Sequence, residues 1–182
     1  MIFVKTEKIL GDERRAMLLE LLSNTDKPIT GGELAKKANV SRQVIVQDIS
    51  LLKAKNYPIM ATSQGYVFLS KQNDHSNLFE RIIACKHAPE RTREELTILV
   101  DHGVFVKEVI VEHQVYGELT ASVMVGNRND VNEFIKKIDH SNSVYLSQLT
   151  EGLHLHTLQA DSLEKLDRAC EELDKEGFIV KD

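Results

Sequence analysis

Leu153-His154-Leu155-His156 places two imidazoles two residues apart in a strongly alternating segment. Successive side chains of a β-strand point to opposite faces, so His154 and His156 share one face and Leu153 and Leu155 the other. Two imidazoles held side by side on a rigid strand are half of a metal site or the polar end of a ligand pocket. They are equally compatible with an edge strand whose histidine face is solvated. Candidate partners lie elsewhere in the chain: His87, just past an alternating segment, and Glu94 and Glu95, eight or fewer residues further on. Zinc, nickel and iron(II) all accept imidazole together with carboxylate, and three histidines with one acid would leave room for an additional ligand. Glu95 is the better acid, because it shares a helical face with Leu99 one turn later, whereas Glu94 lies about 100° away on the helix wheel. These residues come from separate elements, so their spacing alone does not dictate that they meet.

The elements that would position them fall into two modules. Residues 1–72 carry 11 Lys/Arg against 7 Asp/Glu, a balance of +4, and residues 73–182 carry 12 against 21, a balance of −9. All seven histidines lie in the acidic part. A basic first module joined to an acidic, histidine-bearing second one predicts two domains with different partners. The boundaries expected are residues 1–70, a polar linker over 71–77, and 78–182. At 42% hydrophobic and 28% charged, with 3 prolines, the composition is that of a globular protein with no membrane partner. Its apolar runs are too short to span a bilayer and Met1-Ile2-Phe3-Val4-Lys5 does not read as a secretory signal. Cys85 and Cys170 are too few and too far apart for a disulfide scaffold or a CxxC pair. A reducing, cytoplasmic setting follows, with both cysteines as small buried hydrophobes.

In the first module helical periodicity covers about 12–23, with an apolar stripe of Leu18, Leu21 and Leu22 and with Arg14 and Arg15 outside it. Thr30-Gly31-Gly32-Glu33 fits a capping box that opens a short helix to Lys37. Asn39 suits the tight turn, and Ser41 caps a third helix running to about Lys55. Ile45, Ile49 and Leu52 fall at i, i+4 and i+7 and face the core. The opposite face carries Arg42, Gln43, Val46, Gln47 and Ser50, with Ser41 at its start. Arg can reach guanine O6/N7 or phosphate, Gln can bond adenine N6/N7, and Val can meet a thymine methyl. Strands at 57–61 and 66–69 around Thr62-Ser63-Gln64-Gly65 complete a winged helix-turn-helix, for which DNA is the expected partner. A three-helix domain used for protein contact is the competing reading.

The second module reads as strand 78–85, helix 89–101, strands 104–112 and 117–125, helix 129–138, strand 153–158, helix 162–175, and a closing strand Phe178-Ile179-Val180. That pattern predicts an α+β fold: a winged helix-turn-helix followed by an α/β sandwich with a mixed or antiparallel sheet and helices on one face. His75 falls in the linker. His102 and His140 follow helices, where a cation suits the negative end of the dipole.

The stretch Thr30-Gly31-Gly32-Glu33-Leu34-Ala35-Lys36-Lys37-Ala38-Asn39-Val40-Ser41-Arg42-Gln43, with residues 44–52 after it, resembles helix-turn-helices of the biotin-repressor type. It is most similar to the version in bacterial niacin-responsive transcription repressors. His87-Ala88-Pro89-Glu90-Arg91-Thr92, Val111-Glu112-His113-Gln114-Val115-Tyr116-Gly117-Glu118 and Gly152-Leu153-His154-Leu155-His156-Thr157 resemble the signature of the three-histidine regulatory domain of that family. The resemblance covers nearly the whole chain. It implies one divalent metal, nickel, zinc or iron, held by His87, Glu95, His154 and His156. It also implies nicotinic acid as corepressor, and control of NAD-synthesis or niacin-uptake genes. His113, Tyr116 and Gly117 are the candidate effector contacts, shaping the middle motif's turn. That motif departs from the family at Gln114, where Pro is common. A homodimer on a palindromic operator is expected, and no enzymatic activity. An alternative is a regulator for which the metal itself is the signal. A metalloenzyme fused to a DNA-binding head is disfavoured by the lack of an acid/base pair or nucleophile beside the cluster.

Overall fold

The structure is a computed structural model that describes residues 10–69, 78–141 and 143–181, in two compact units, 1–74 and 75–182. The expected linker at 71–77, with His75, lies outside the described residues.

The first unit packs α1 (Gly11–Ser23), α2 (Gly31–Ala38) and α3 (Arg42–Ala54) against a two-stranded wing, β1 (Ile59–Thr62) and β2 (Gly65–Phe68). The caps follow the sequence. Thr30 and Glu33 form a reciprocal capping box on α2, Asn39 takes the left-handed conformation that ends it (φ 50°), and Ser41 accepts from the Val44 N–H to start α3. Leu18, Leu22, Leu34, Ile45, Ile49 and Leu52 make the core. Arg14 corrects the expected polar face of α1. It stands one turn before Leu18, two before Leu22, and is buried with them. Its guanidinium is paired there with Asp48, itself buried on the core side of α3.

The second unit contains β3 (Phe79–Lys86), α4 (Thr92–Asp101), β4 (Phe105–His113), β5 (Gly117–Val125), α5 (Arg128–Ser141), β6 (Leu153–Ala160) and α6 (Leu163–Lys175). Its sheet order is β3-β6-β4-β5 with every pairing antiparallel. Leu96 and Leu99 of α4, Val131 and Ile135 of α5, and Leu166, Ala169 and Leu173 of α6 share one core with one face of the sheet. The helices therefore lie on one side, as alternation of buried strand residues requires.

Three short features differ from the sequence reading. Phe178-Ile179-Val180 is not a strand of the sheet: Ile179 makes one isolated bridge to Cys85, while Phe178 is buried in the core. A 3-10 turn at Leu146–Thr150 precedes β6. A second 3-10 turn, Pro89–Arg91, leads into α4 where one continuous helix was expected. Among the described residues no helix is long and apolar enough to cross a membrane.

Candidate functional site

β6 is an inner strand, inserted between β3 and β4, and its histidine face is the buried one. His154 and His156 are 3% and 4% exposed, whereas Leu153 is 45% exposed. The solvated-edge reading of this strand is thus reversed: the imidazoles point to the helices and the leucines away from them. The register Cys85↔His154 aligns the end of β3 with the start of the histidine pair, so the chain emerging from β3 delivers His87 beside them. Opposite, α4 presents Glu95, which is completely buried, while Glu94 is exposed and paired with Arg91.

All three imidazoles aim Nε2 at that carboxylate. His87 Nε2 lies 2.9 Å from Oε2, His154 Nε2 3.3 Å from Oε1, and His156 Nε2 3.3 Å from Oε2. Each ring's other nitrogen donates to a backbone carbonyl: His87 Nδ1 to Ala88 O at 2.8 Å, His154 Nδ1 to Gly152 O at 2.8 Å, and His156 Nδ1 to Glu108 O at 3.1 Å. A carbonyl can only accept, so these bonds place the proton on Nδ1 in all three rings and leave the Nε2 lone pairs facing Glu95. Three lone pairs and a carboxylate are four acceptors around one point. They require protons or a cation between them. The ligand atoms of His87, Glu95 and His154 lie within 4.8 Å of one another, and this group could hold a metal ion. The donor set, imidazole nitrogen with one carboxylate, fits a divalent transition ion.

The electrostatics run the same way. Burial opposes a charged Glu95. The neighbouring imidazoles outweigh it, His156 by its charge and His154, His156 and His87 by hydrogen bonds, and hold the carboxyl well below its ordinary range. Burial likewise opposes a charged His87, but the Glu95 contact raises it. Cys85, buried under the cluster, is pushed up by burial and then by the Glu95 charge, so its thiol stays protonated.

Two positioning features carry no spacing signal that sequence reasoning could use. Gly152 adopts φ +89°, and a Cβ there would stand 2.2 Å from the His87 carbonyl oxygen. Its own carbonyl takes the His154 proton and its N–H donates to Ser147 O. The 3-10 turn and the left-handed Glu151 thereby bring the β6 histidines to His87. The second feature is a cavity of about 260 Å³ reaching the cluster. Its walls include Leu96, Val109, Val123, Phe134, Ile138 and Leu146, and its inner end is formed by Thr92, Glu95, His154 and His156.

The structure does not bring His113, Tyr116 and Gly117 to this cavity. They form the tip of the β4–β5 hairpin, where the His113 Nδ1 accepts from the Val115 and Tyr116 N–H groups and its ring stacks on Tyr116. The cavity touches these strands at Val109 and Ala121, four residues back from the tip on each, on the order of 13 Å. Gln114 sits in that exposed turn, which closes without Pro. His102 and His140 each donate Nδ1 to the carbonyl four residues earlier, at the ends of α4 and α5. In the first unit Arg42, Gln43, Val46, Gln47 and Ser50 are exposed along α3, opposite the buried Ile45, Ile49 and Leu52. Ser50 returns its hydroxyl to Val46 O.

A winged helix-turn-helix followed by a three-histidine, one-acid regulatory domain is the build of a DNA-binding regulator. Residues 14–67 match the HTH domain family and residues 80–182 the 3H domain family. The chain is 59% identical over 175 residues, 96% of its length and 97% of the relative's, to the transcription repressor NadR of Bacillus subtilis. It is 38% identical, over 96% of its length and 98% of the relative's, to the probable transcription repressor NiaR of Thermotoga maritima. The chain belongs to this NadR/NiaR family of 3H-domain transcription repressors, with a DNA-binding helix-turn-helix ahead of the 3H domain.

Proposed function

We propose that this repressor senses nicotinic acid, bound beside one divalent metal ion, and so controls genes of NAD biosynthesis or niacin uptake. The observation that carries the reading is the common orientation of three imidazoles toward Glu95 at the inner end of an apolar cavity. His87, Glu95, His154 and His156 would hold the ion, which, when bound, supplies a positive charge and an open position for an anionic ligand. The chain's own part is preorganisation. Backbone carbonyls select the tautomer, β6 fixes the His154–His156 spacing, and α4 supplies the cluster's carboxylate, Glu95. The effector's identity rests on the motif resemblance; a single-ring acid also suits a cavity smaller than the roughly 300–1,000 Å³ of drug-sized sites.

On the DNA side, Ser41, Arg42, Gln43, Val46, Gln47 and Ser50 line the face of α3 that would enter the major groove. Two such heads in a homodimer would read a palindrome with half-sites about 10 bp apart or a multiple of it. Nicotinic acid can favour the DNA-competent form only by binding it more tightly than the other form. The experiment is operator binding by fluorescence anisotropy, on a site selected from random DNA, with the metal-loaded protein. Nicotinic acid should tighten binding. Affinity unchanged up to millimolar ligand would reject the corepressor, and affinity set by added metal alone would make the metal the signal.

A further inference from the structure

Thr92 lines the cavity beside the cluster and is 8% exposed, yet among the described residues its Oγ1 has no hydrogen-bond partner. A buried hydroxyl left unpaired costs free energy, so such groups have partners or a reason not to. Thr92 stands three residues before Glu95 in the first turn of α4, on the same side of the helix. Thr92 thus stands on the chamber wall between its apolar residues and Glu95. Its Oγ1 is sealed by neighbouring atoms in this conformation, and a rotation about χ1, for which a helical Thr has two favoured positions, turns it to the chamber. The amino end of α4 adds the positive end of a helix dipole there. Glu95 would not repel an anion unopposed, because a divalent ion held by it and the imidazoles would offset its charge.

We infer that Thr92 is the specificity contact for the effector: its hydroxyl donates to the carboxylate of a single-ring aromatic acid whose ring occupies the apolar chamber. Phe134, Val109 and Leu96 supply flat and aliphatic surface for the ring. A chamber of about 260 Å³ is of the size for a single-ring ligand, below the roughly 300–1,000 Å³ of drug-sized sites. Discrimination then follows from polar pairing. An analogue that lacks the acceptor leaves the hydroxyl buried and unpaired, which a hydrogen-bonding site rejects more strongly than a change in apolar size. Ala121, exposed and part of the same lining, marks the mouth of the chamber. The inference rests on the nicotinic acid reading above.

The test uses the full-length, metal-loaded protein and nicotinic acid as probe, with calorimetry for binding, metal analysis for loading, and melting without ligand. Thr92→Val should weaken nicotinic acid about tenfold or more, with metal content unchanged. Thr92→Ser, which keeps the hydroxyl, should stay within about threefold of wild type, less than the loss of a hydrogen bond. Ala121→Phe should block the chamber and abolish binding while the metal remains. Without ligand, Thr92→Val should melt at the same temperature or higher, since it removes an unpaired polar group. A lower melting temperature would give the hydroxyl a structural role and overturn the inference. So would wild-type affinity in Thr92→Val or Ala121→Phe, which would leave the proposed function standing. Absence of binding to the wild-type protein would bring down both.

Discussion

Arg14 of α1 and Asp48 of α3 form a buried ion pair, with Nε 2.5 Å and Nη2 3.2 Å from the two carboxylate oxygens. Arg15 adds a third contact to Oδ1 at 3.0 Å. The pair ties α1 to α3 from inside the core. Removing one partner of such a pair leaves a buried charge uncompensated. Asp48→Ala should cost about 3–5 kcal/mol in chemical denaturation followed by circular dichroism. The double change Arg14→Met with Asp48→Leu should recover most of that loss. A single variant within 1 kcal/mol of wild type would show the pair to be dispensable.

The DNA face makes a different kind of prediction. Arg42→Ala and Gln43→Ala should each weaken specific binding by about 1–3 kcal/mol, the size of a good base contact, without changing the melting temperature. Equal losses on operator and random DNA would restrict them to phosphate contact.

Metal retention should depend on Gly152 as well as on the histidines. His154→Ala should lose the ion and the effector response while the winged helix stays folded. In Gly152→Ala the new Cβ meets the His87 carbonyl and φ +89° is strained. The cost should exceed about 1 kcal/mol in stability. Metal affinity should drop about 10- to 100-fold, because the residue carries the carbonyl that orients His154. A chelator competition curve identical to wild type would show that this loop does not hold the site.

The metal-free protein should have a distinctive pH profile. Glu95 is held below its ordinary value of 4.5, so its contribution is present above pH 4.5 and lost as pH falls through its lower folded value. His87 is raised above its ordinary value of 6.5, so its contribution is present below pH 6.5 and lost as pH rises through the folded value. Stability of the second unit should therefore be greatest between about pH 4.5 and 6.5 and decline toward pH 8. A divalent ion should remove that decline, since it binds deprotonated imidazoles. A flat profile from pH 6 to 8 in the chelated protein would contradict a His87 whose charged form is favoured by Glu95.

Much of this architecture is legible in local sequence because its signals are local. Thr30 with Glu33, Asn39 and Ser41 announce the helix-turn-helix through caps whose geometry spans three residues. The His154–His156 pairing follows from strand periodicity alone. The rest depends on tertiary partners. Nothing in the α1 sequence says that Arg14 is buried, because its burial is made tolerable by Asp48, 34 residues away. Phe178-Ile179-Val180 has the composition of a strand, but the β3 edge gives it one bridge and the core takes Phe178. The solvated-edge alternative for β6 could be rejected only once the strand was seen between two others. Thr92, an unremarkable residue in sequence, acquires interest only from the partner it lacks.

The insertion of β6 between β3 and β4 has a consequence for how the histidine cluster comes into being. Phe79 pairs with Ala160, and Phe105 with Gln159, so the central strand closes long loops on both sides. Such non-local pairing is slow to form, because loop-closure entropy is lost before contacts offset it. Until residues 153–160 have been synthesised and threaded into the gap, His87 and Glu95 have no imidazole partners from β6. The DNA-binding head, built from local contacts, is complete far earlier. During synthesis the chain thus passes through a stage in which the reading head can fold while the imidazole cluster of the second unit is still unassembled.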